Sequence, residues 1–334
     1  MDIPVWFEIT SMIVLSIILV ADLLLVRLRP HIPSTKESTL WVAFYVGLAL
    51  LFAVLLGNVA GWRNAGDFIT GWALEYSLSI DNLFVFVLIM AQFAVPRRLQ
   101  QQVLMVGIII ALVLRGAFIL VGVTVIEHFS PIFYIFGAFL IYTAIKQAMP
   151  EGEHEDDMKA ENFIVRLLRR RIDISETYDG SKLRTTVDGK RMWTPMIIVF
   201  ITIGVTDLIF AIDSIPAIFE ITTNGFLVFS ANIFALMGLR QLYFLLGDLL
   251  DRLRYLHYGI AVILGFIGVK LILHALHENE LPFINGGQHV DWVPEIDNLV
   301  SLGVIIVSMT VATVASLIAA SREKSAAKKA IVHD

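Results

Sequence analysis

The chain has 334 residues, 57% of them hydrophobic and only 16% charged, with a formal net charge of −5 and a mean hydropathy of +0.77. A water-soluble domain of this length does not carry so much apolar surface, so the composition excludes that class and indicates a polytopic membrane protein. Cysteine is absent, which excludes disulfides and thiolate metal sites.

A hydrocarbon core of roughly 30 Å needs about 20 apolar residues per helix. Nine stretches approach that length: 5–26, 39–58, 68–95, 101–124, 131–149, 195–220, 226–246, 256–276 and 297–320. They are too long and too uniformly apolar for the alternating strands of a barrel. The first has Asp2 and Glu8 before it and Arg27 and Arg29 after it. A cleaved signal peptide has a basic start, so this stretch reads as a retained helix.

Residues 150–194 form the one sizeable soluble loop. It opens acidic (EGEHEDD) and turns basic from Arg166 to Arg171. Asp188-Gly189, between short alternating runs, predicts a small hairpin. NFIVRLLRRR suits an anionic membrane surface. The loop as a whole is expected to be a solvated linker. The segment 278–296 is acidic and contains His289, with His274 and His277 just before it; it is expected to be an exposed loop. Trp62, Trp72 and Trp292 suit an interfacial aromatic belt.

Lys and Arg concentrate in the connections after the odd-numbered spans, and the opposite side holds only Arg63. The positive-inside rule then places the N-terminus outside and the C-terminus in the cytoplasm of an inner (plasma) membrane.

Acidic residues inside apolar spans are costly, about 2.5–3.5 kcal/mol each on insertion scales. Two pairs occur here at one six-residue interval: Glu75 and Asp81 in EYSLSIDNLFVF, Asp207 and Asp213 in TDLIFAIDSIPAIF. Further matches follow in order. Arg115 of span four aligns with Arg240 of span seven. Tyr134 and Lys146 of span five align with Tyr258 and Lys270 of span eight. Spans three to five therefore resemble spans six to eight. Three helices per unit forces opposite orientations, the inverted-repeat design of many secondary transporters.

The expected fold is all-α, about nine transmembrane helices with a three-plus-three inverted repeat. The expected division is 1–66 (two helices), 67–149 (first repeat), 150–194 (cytoplasmic loop), 195–277 (second repeat), 278–296 (acidic and histidine-bearing loop) and 297–334 (last helix and basic tail).

Six residues along a helix give a rise of about 9 Å and a rotation of about 120°. Two carboxylates on one straight helix at that spacing do not easily share an ion. Inverted helices facing each other would pair Glu75 with Asp213 and Asp81 with Asp207. Asn82 and Ser214 each follow the second acid, and Ser79 lies on the stripe of Glu75. Such oxygen donors suit manganese, magnesium or calcium better than zinc or copper. Pro216 removes a helix hydrogen bond near Ile212, and an unwound turn there would offer a carbonyl. Arg115, Arg240 and Lys270 are expected to be gating or ion-pair groups rather than ligands, because a guanidinium repels a cation.

At these residues the chain resembles the TerC/Alx family of integral membrane proteins. The resemblance rests on EYSLSIDNLFVF, VPRRLQQQVLMVGIIIALVLRGAFI, TDLIFAIDSIPAIFEITT and ANIFALMGLRQLYFLL, and extends over roughly residues 5–320. It implies a transporter of the wider lysine-exporter superfamily that exports manganese, with links to alkaline pH and, historically, to tellurite resistance. Carried over by motif, the metal residues are Glu75, Asp81, Asn82, Asp207, Asp213 and Ser214. Some relatives have a further acid three residues before Asp207; here that position is Gly204.

The leading expectation is therefore a divalent-cation exporter working by proton exchange. No nucleotide motif suggests direct ATP drive. An intramembrane aspartyl protease would need a glycine-flanked GxGD context, absent around Asp81 and Asp213. Export of a small organic solute and a non-transporting scaffold in stress response are the alternatives. The expected partners are a divalent metal ion, protons and the lipid bilayer. No nucleic acid, resident cofactor or enzymatic activity is expected, and no partner protein is indicated.

Overall fold

Inside a bilayer every backbone N–H and C=O must find its partner within the protein, and a continuous helix does this locally. All nine apolar stretches are helical in the computed structural model. It describes residues 3–28, 34–128, 131–149, 173–175, 177–187, 190–246, 255–277 and 296–333, with single positions between 279 and 294. The side chains of Asp81 and Asp213 fall outside the described set, as do residues 150–172, the turn at 188–189, and Glu278, Glu280, His289, Asp291, Trp292 and Glu295.

The helices are α1 (Val5–Leu28), α2 (Thr35–Ala60), α3 (Trp62–Gln92), α4 (Arg97–His128), α5 (Ile132–Ala148), α6 (Met196–Phe219), α7 (Gly225–Leu246), α8 (Leu256–His277) and α9 (Asn298–His333). Eight are long and apolar enough to cross a membrane. The ninth, α5, is apolar but has only 17 residues, about 25 Å of helix.

Their packing is ordered. α3 lies along α7, α4 along α6, and α5 along α8, with α3 also meeting α6 and α4 meeting α7. α2 covers α3 and α7, and α9 covers α3 and α8. The α5–α8 crossing depends on glycine. A Cβ on Gly268 would lie 2.9 Å from the Gly137 carbonyl oxygen, and one on Gly137 would lie 2.8 Å from that of Gly268. Small residues admit such close approach, which drives helix association where lipid removes the hydrophobic incentive. Phe68 of α3 packs with Phe52 of α2 and Phe234 of α7.

Between α5 and α6, β1 (Arg184–Val187) pairs antiparallel with β2 (Lys190–Trp193), Val187 opposite Lys190. Two residues join the strands, as the Asp188-Gly189 pair predicts. The solvated-linker expectation is corrected in part: described residues between 173 and 194 fold on one another, and Tyr178 meets the bundle. Trp193 N–H donates to the Asp173 carbonyl at 2.8 Å, and the Arg184 guanidinium sits 4.1 Å over the Trp193 ring. The Tyr178 hydroxyl donates to the carbonyl of Phe93, the C-cap of α3, at 2.7 Å. A buried tyrosine contributes both apolar area and this polar handle.

Burial pushes the Tyr178 phenol up to about 12, above its ordinary value near 10. The neutral hydroxyl is the donor, so this docking is fully stabilising below about pH 10 and is lost as pH rises through about 12. The ¹⁹F resonance of fluorotryptophan at Trp193 should therefore shift across that window in the wild type. In Tyr178→Phe the shift should be absent.

Candidate functional site

The most deeply buried charge lies where α3, α4, α6 and α7 meet. Arg115 of α4 is fully buried, 0% exposed, and Glu75 and Asp207 beside it are 1% and 2% exposed. Arg115 Nη1 donates to Glu75 Oε2 at 2.6 Å. Nη2 and Nε donate to Asp207 Oδ1 and Oδ2 at 3.3 and 3.4 Å. The rigid guanidinium fork suits this task, since it offers parallel N–H groups to one carboxylate and a further edge to the other. Asn232 Nδ2 of α7 donates to the same Glu75 oxygen at 3.1 Å. Two carboxylates thus face one guanidinium.

The pairing expected from sequence joins each of these acids to a residue whose side chain is outside the described set. Glu75 and Asp207, one from each acidic pair, meet at Arg115, so they lie at one level of the bundle. The expected partners of each, Asp213 and Asp81, have side chains outside the described set. Asn82 and Ser214 are buried on the same helices. The hydroxyls of Ser79 and Ser214 are buried with no hydrogen-bond partner among the described residues. Among the described residues, no three acids or histidines gather at metal-coordinating distance.

The other two membrane cations have acids of their own. Arg240 Nη2 donates to Asp22 Oδ1 of α1 at 2.8 Å, and Tyr45 of α2 donates to the same oxygen at 2.7 Å. Lys270 Nζ donates to Asn298 Oδ1 at 2.7 Å and Ser301 Oγ at 3.1 Å, with Glu220 Oε1 at 3.6 Å. Asn298 Nδ2 in turn donates to Asp67 Oδ1 at 2.7 Å. All three cations thus make ion pairs or hydrogen bonds in the bundle, and among the described side chains it is Arg115 that meets Glu75 and Asp207.

Pro216 does not unwind α6. The helix is continuous through it and ends at Phe219, with Glu220 N–H returning to the Pro216 carbonyl. A proline in the last turn costs one intrahelical bond and leaves the rest of the ladder intact. Gly204 faces α4: a Cβ there would lie 3.2 Å from Ile110 Cγ2. That position serves close helix packing.

Sequence reasoning missed Asn232, Asp22 and Glu220. Asn232 (FSANIFAL) and Asp22 (LVADLLL) are polar residues in apolar runs, the same signal that singled out the matched acids. Neither has a repeat partner to draw notice.

The sequence pattern of the integral membrane protein TerC family matches residues 60–324. The chain belongs to the TerC family. It is 46% identical over 309 residues to an uncharacterized membrane protein of Mycobacterium tuberculosis, covering 90% of this chain and 78% of that protein. It is 40% identical over 276 residues to Alx of Escherichia coli, provisionally named a membrane-bound redox modulator, covering 78% of this chain and 84% of Alx. An uncharacterized membrane protein of Myxococcus xanthus is 37% identical over 255 residues, with 76% and 79% covered. No solved structure matches the chain. The TerC match begins at the end of α2, so Asp22 and Tyr45 tie a preceding helical pair to the family segment through Arg240.

Removing one partner of a buried ion pair strands the other charge and costs about 3–5 kcal/mol. Arg115→Met should therefore lower the unfolding temperature of the detergent-purified TerC protein sharply, because Glu75 and Asp207 lose their shared counterion. Adding Glu75→Gln to Arg115→Met should recover part of that loss.

Proposed function

We propose that this TerC protein exports a divalent metal cation, manganese, in exchange for protons, through the carboxylates of α3 and α6. The observation that carries the reading is the Arg115 guanidinium held in the bundle interior between Glu75 and Asp207. Two carboxylates on different helices already hold a cation at that point, and the cation is the protein's own. A divalent ion or protons can take its place with the carboxylates unmoved in sequence and reoriented only at their tips.

The donor set is all oxygen: Glu75, Asp81, Asn82, Asp207, Asp213 and Ser214, with Ser79. Hard oxygen donors favour manganese and its neighbours over zinc and copper. Manganese among these rests on the family resemblance. Carboxylates that bind either metal or protons make exchange chemically natural. The orientation proposed is N-terminus outside and C-terminus in the cytoplasm of the inner membrane. The matched packing of α3 on α7 and of α4 on α6 supports an inverted repeat, with α3–α5 and α6–α8 as the two units. Export of an organic zwitterion is less well served, since Arg115 already spends its fork on Glu75 and Asp207. The redox role in the name of Alx has no thiol counterpart here, because the chain has no cysteine.

Proteoliposomes loaded with manganese test the reading. Wild type should release Mn²⁺ when protons are supplied outside. Glu75→Gln, Asp207→Asn and Asp213→Asn should each fall to the rate of empty liposomes while remaining monodisperse. Calcium and magnesium should compete better than zinc. Unchanged flux in Asp207→Asn would sink the carboxylate pathway, and no flux in the wild type would sink the transport reading.

A further inference from the structure

We infer that Asn232 of α7 is a cargo ligand, offering its side-chain oxygen to the cation when Arg115 gives way. The inference rests on the transport reading above and adds a residue that neither the acidic pairs nor the repeat identifies.

Asn232 is fully buried, 0% exposed. Its Nδ2 donates to Glu75 Oε2 at 3.1 Å. An ionised carboxylate only accepts hydrogen bonds, so this contact fixes which end of the amide faces Glu75. The oxygen is thereby turned elsewhere, and Oδ1 is buried with no hydrogen-bond partner among the described residues. Amide oxygen and nitrogen share one carbon, about 2.3 Å apart, so Oδ1 lies no farther than about 5.4 Å from Glu75 Oε2. An orphaned acceptor of this kind costs about 1–3 kcal/mol. The bond to Glu75 accounts for the amide nitrogen; it gives the amide oxygen no partner.

The neighbouring hydroxyls follow the same pattern. Thr39, Thr70, Ser77, Thr124, Ser230 and Ser316 each donate to the carbonyl four residues earlier. That is the ordinary way for a helical hydroxyl to be satisfied away from water. Ser79 and Ser214 do not take it, and both oxygens are buried without a partner among the described residues. Ser79 lies one turn beyond Glu75, and Ser214 lies seven residues beyond Asp207, on the same helical stripes. Unpartnered oxygens occur elsewhere too, at Ser38, Gln102 and Thr202, but those of Ser79, Ser214 and Asn232 stand on α3, α6 and α7, helices that surround the Arg115 ion pair.

Neutral oxygens of this type raise the coordination number of a hard divalent ion without adding negative charge. An octahedral ion of manganese or magnesium size needs about six donors. Carboxylates alone would supply them only with a charge that holds the ion too tightly to release. Asn232 would act in both states. Through nitrogen it braces Glu75 against Arg115, and through oxygen it takes part of the ion's shell.

The test is Mn²⁺ binding to full-length protein in detergent, read from the loss of the electron paramagnetic resonance signal of free Mn²⁺. Asn232→Leu should weaken binding about tenfold or more and raise the KM of proteoliposome flux with maximal rate less affected. Asn232→Asp keeps an oxygen in place and adds a charge. It should bind Mn²⁺ at least as tightly as wild type, and Mn²⁺ should raise its Tm by more than it raises that of the wild type. Wild-type affinity in Asn232→Leu overturns the inference, as does an equal loss of affinity in both variants. Should Asn232→Leu fail to fold, Asn232→Asp decides alone: a Mn²⁺-induced rise in Tm no larger than that of wild type overturns the inference. If the wild type itself binds no Mn²⁺, the transport reading fails and this inference fails with it.

Discussion

Everything at the centre of this bundle depends on one guanidinium. Arg115 is buried completely and satisfies two carboxylates from two other helices. Taking such charges out of water costs several kcal/mol per ion, and attraction offsets that only when the geometry is good and the remaining groups are bonded. Glu75 meets the condition with a second donor, Asn232, at the same oxygen. Two carboxylates face one guanidinium here, which is the imbalance that the proposed cation exchange would use. A bundle built only for stability would fill the space with leucine and phenylalanine, as it does a few residues away at Phe52, Phe68 and Phe234.

Among the described residues, two further membrane cations have partners apart from that ion pair. Arg240 is held by Asp22 and Tyr45, and Lys270 by Asn298, Ser301 and Glu220. Neither competes for Glu75 or Asp207. The Gly137–Gly268 crossing brings α5 and α8 close together. This leaves α3, α4, α6 and α7 as the helices around the ion pair. Elsewhere, docking of Tyr178 on the α3 C-cap links the loop 173–194 to the helix that bears Glu75.

The helices were legible because each is a long, uninterrupted apolar run, a signal that needs no tertiary information. The hairpin was legible because Asp-Gly sets a turn type that few other pairs allow. Glu75, Asp207 and Arg115 were legible as ionisable groups where such groups are expensive. Their mutual contact was not, since it depends on which faces of α3, α4 and α6 turn inward. The same limit hid the partners of Arg240 and Lys270: Asp22 and Glu220 lie 218 and 50 positions away in the chain, and only packing brings them together. For Pro216 the sequence states that one hydrogen bond is lost, but not that the loss falls in the last turn, where the helix tolerates it.

The central claim is that a divalent cation replaces Arg115 between Glu75 and Asp207. Anomalous diffraction at the manganese edge, from crystals grown with and without Mn²⁺, tests it most directly. The account predicts a manganese peak within coordination distance of Glu75 and Asp207, with the guanidinium withdrawn from at least one of them. A peak elsewhere in the bundle, or no peak with Arg115 still clamped between both carboxylates at saturating Mn²⁺, would contradict it.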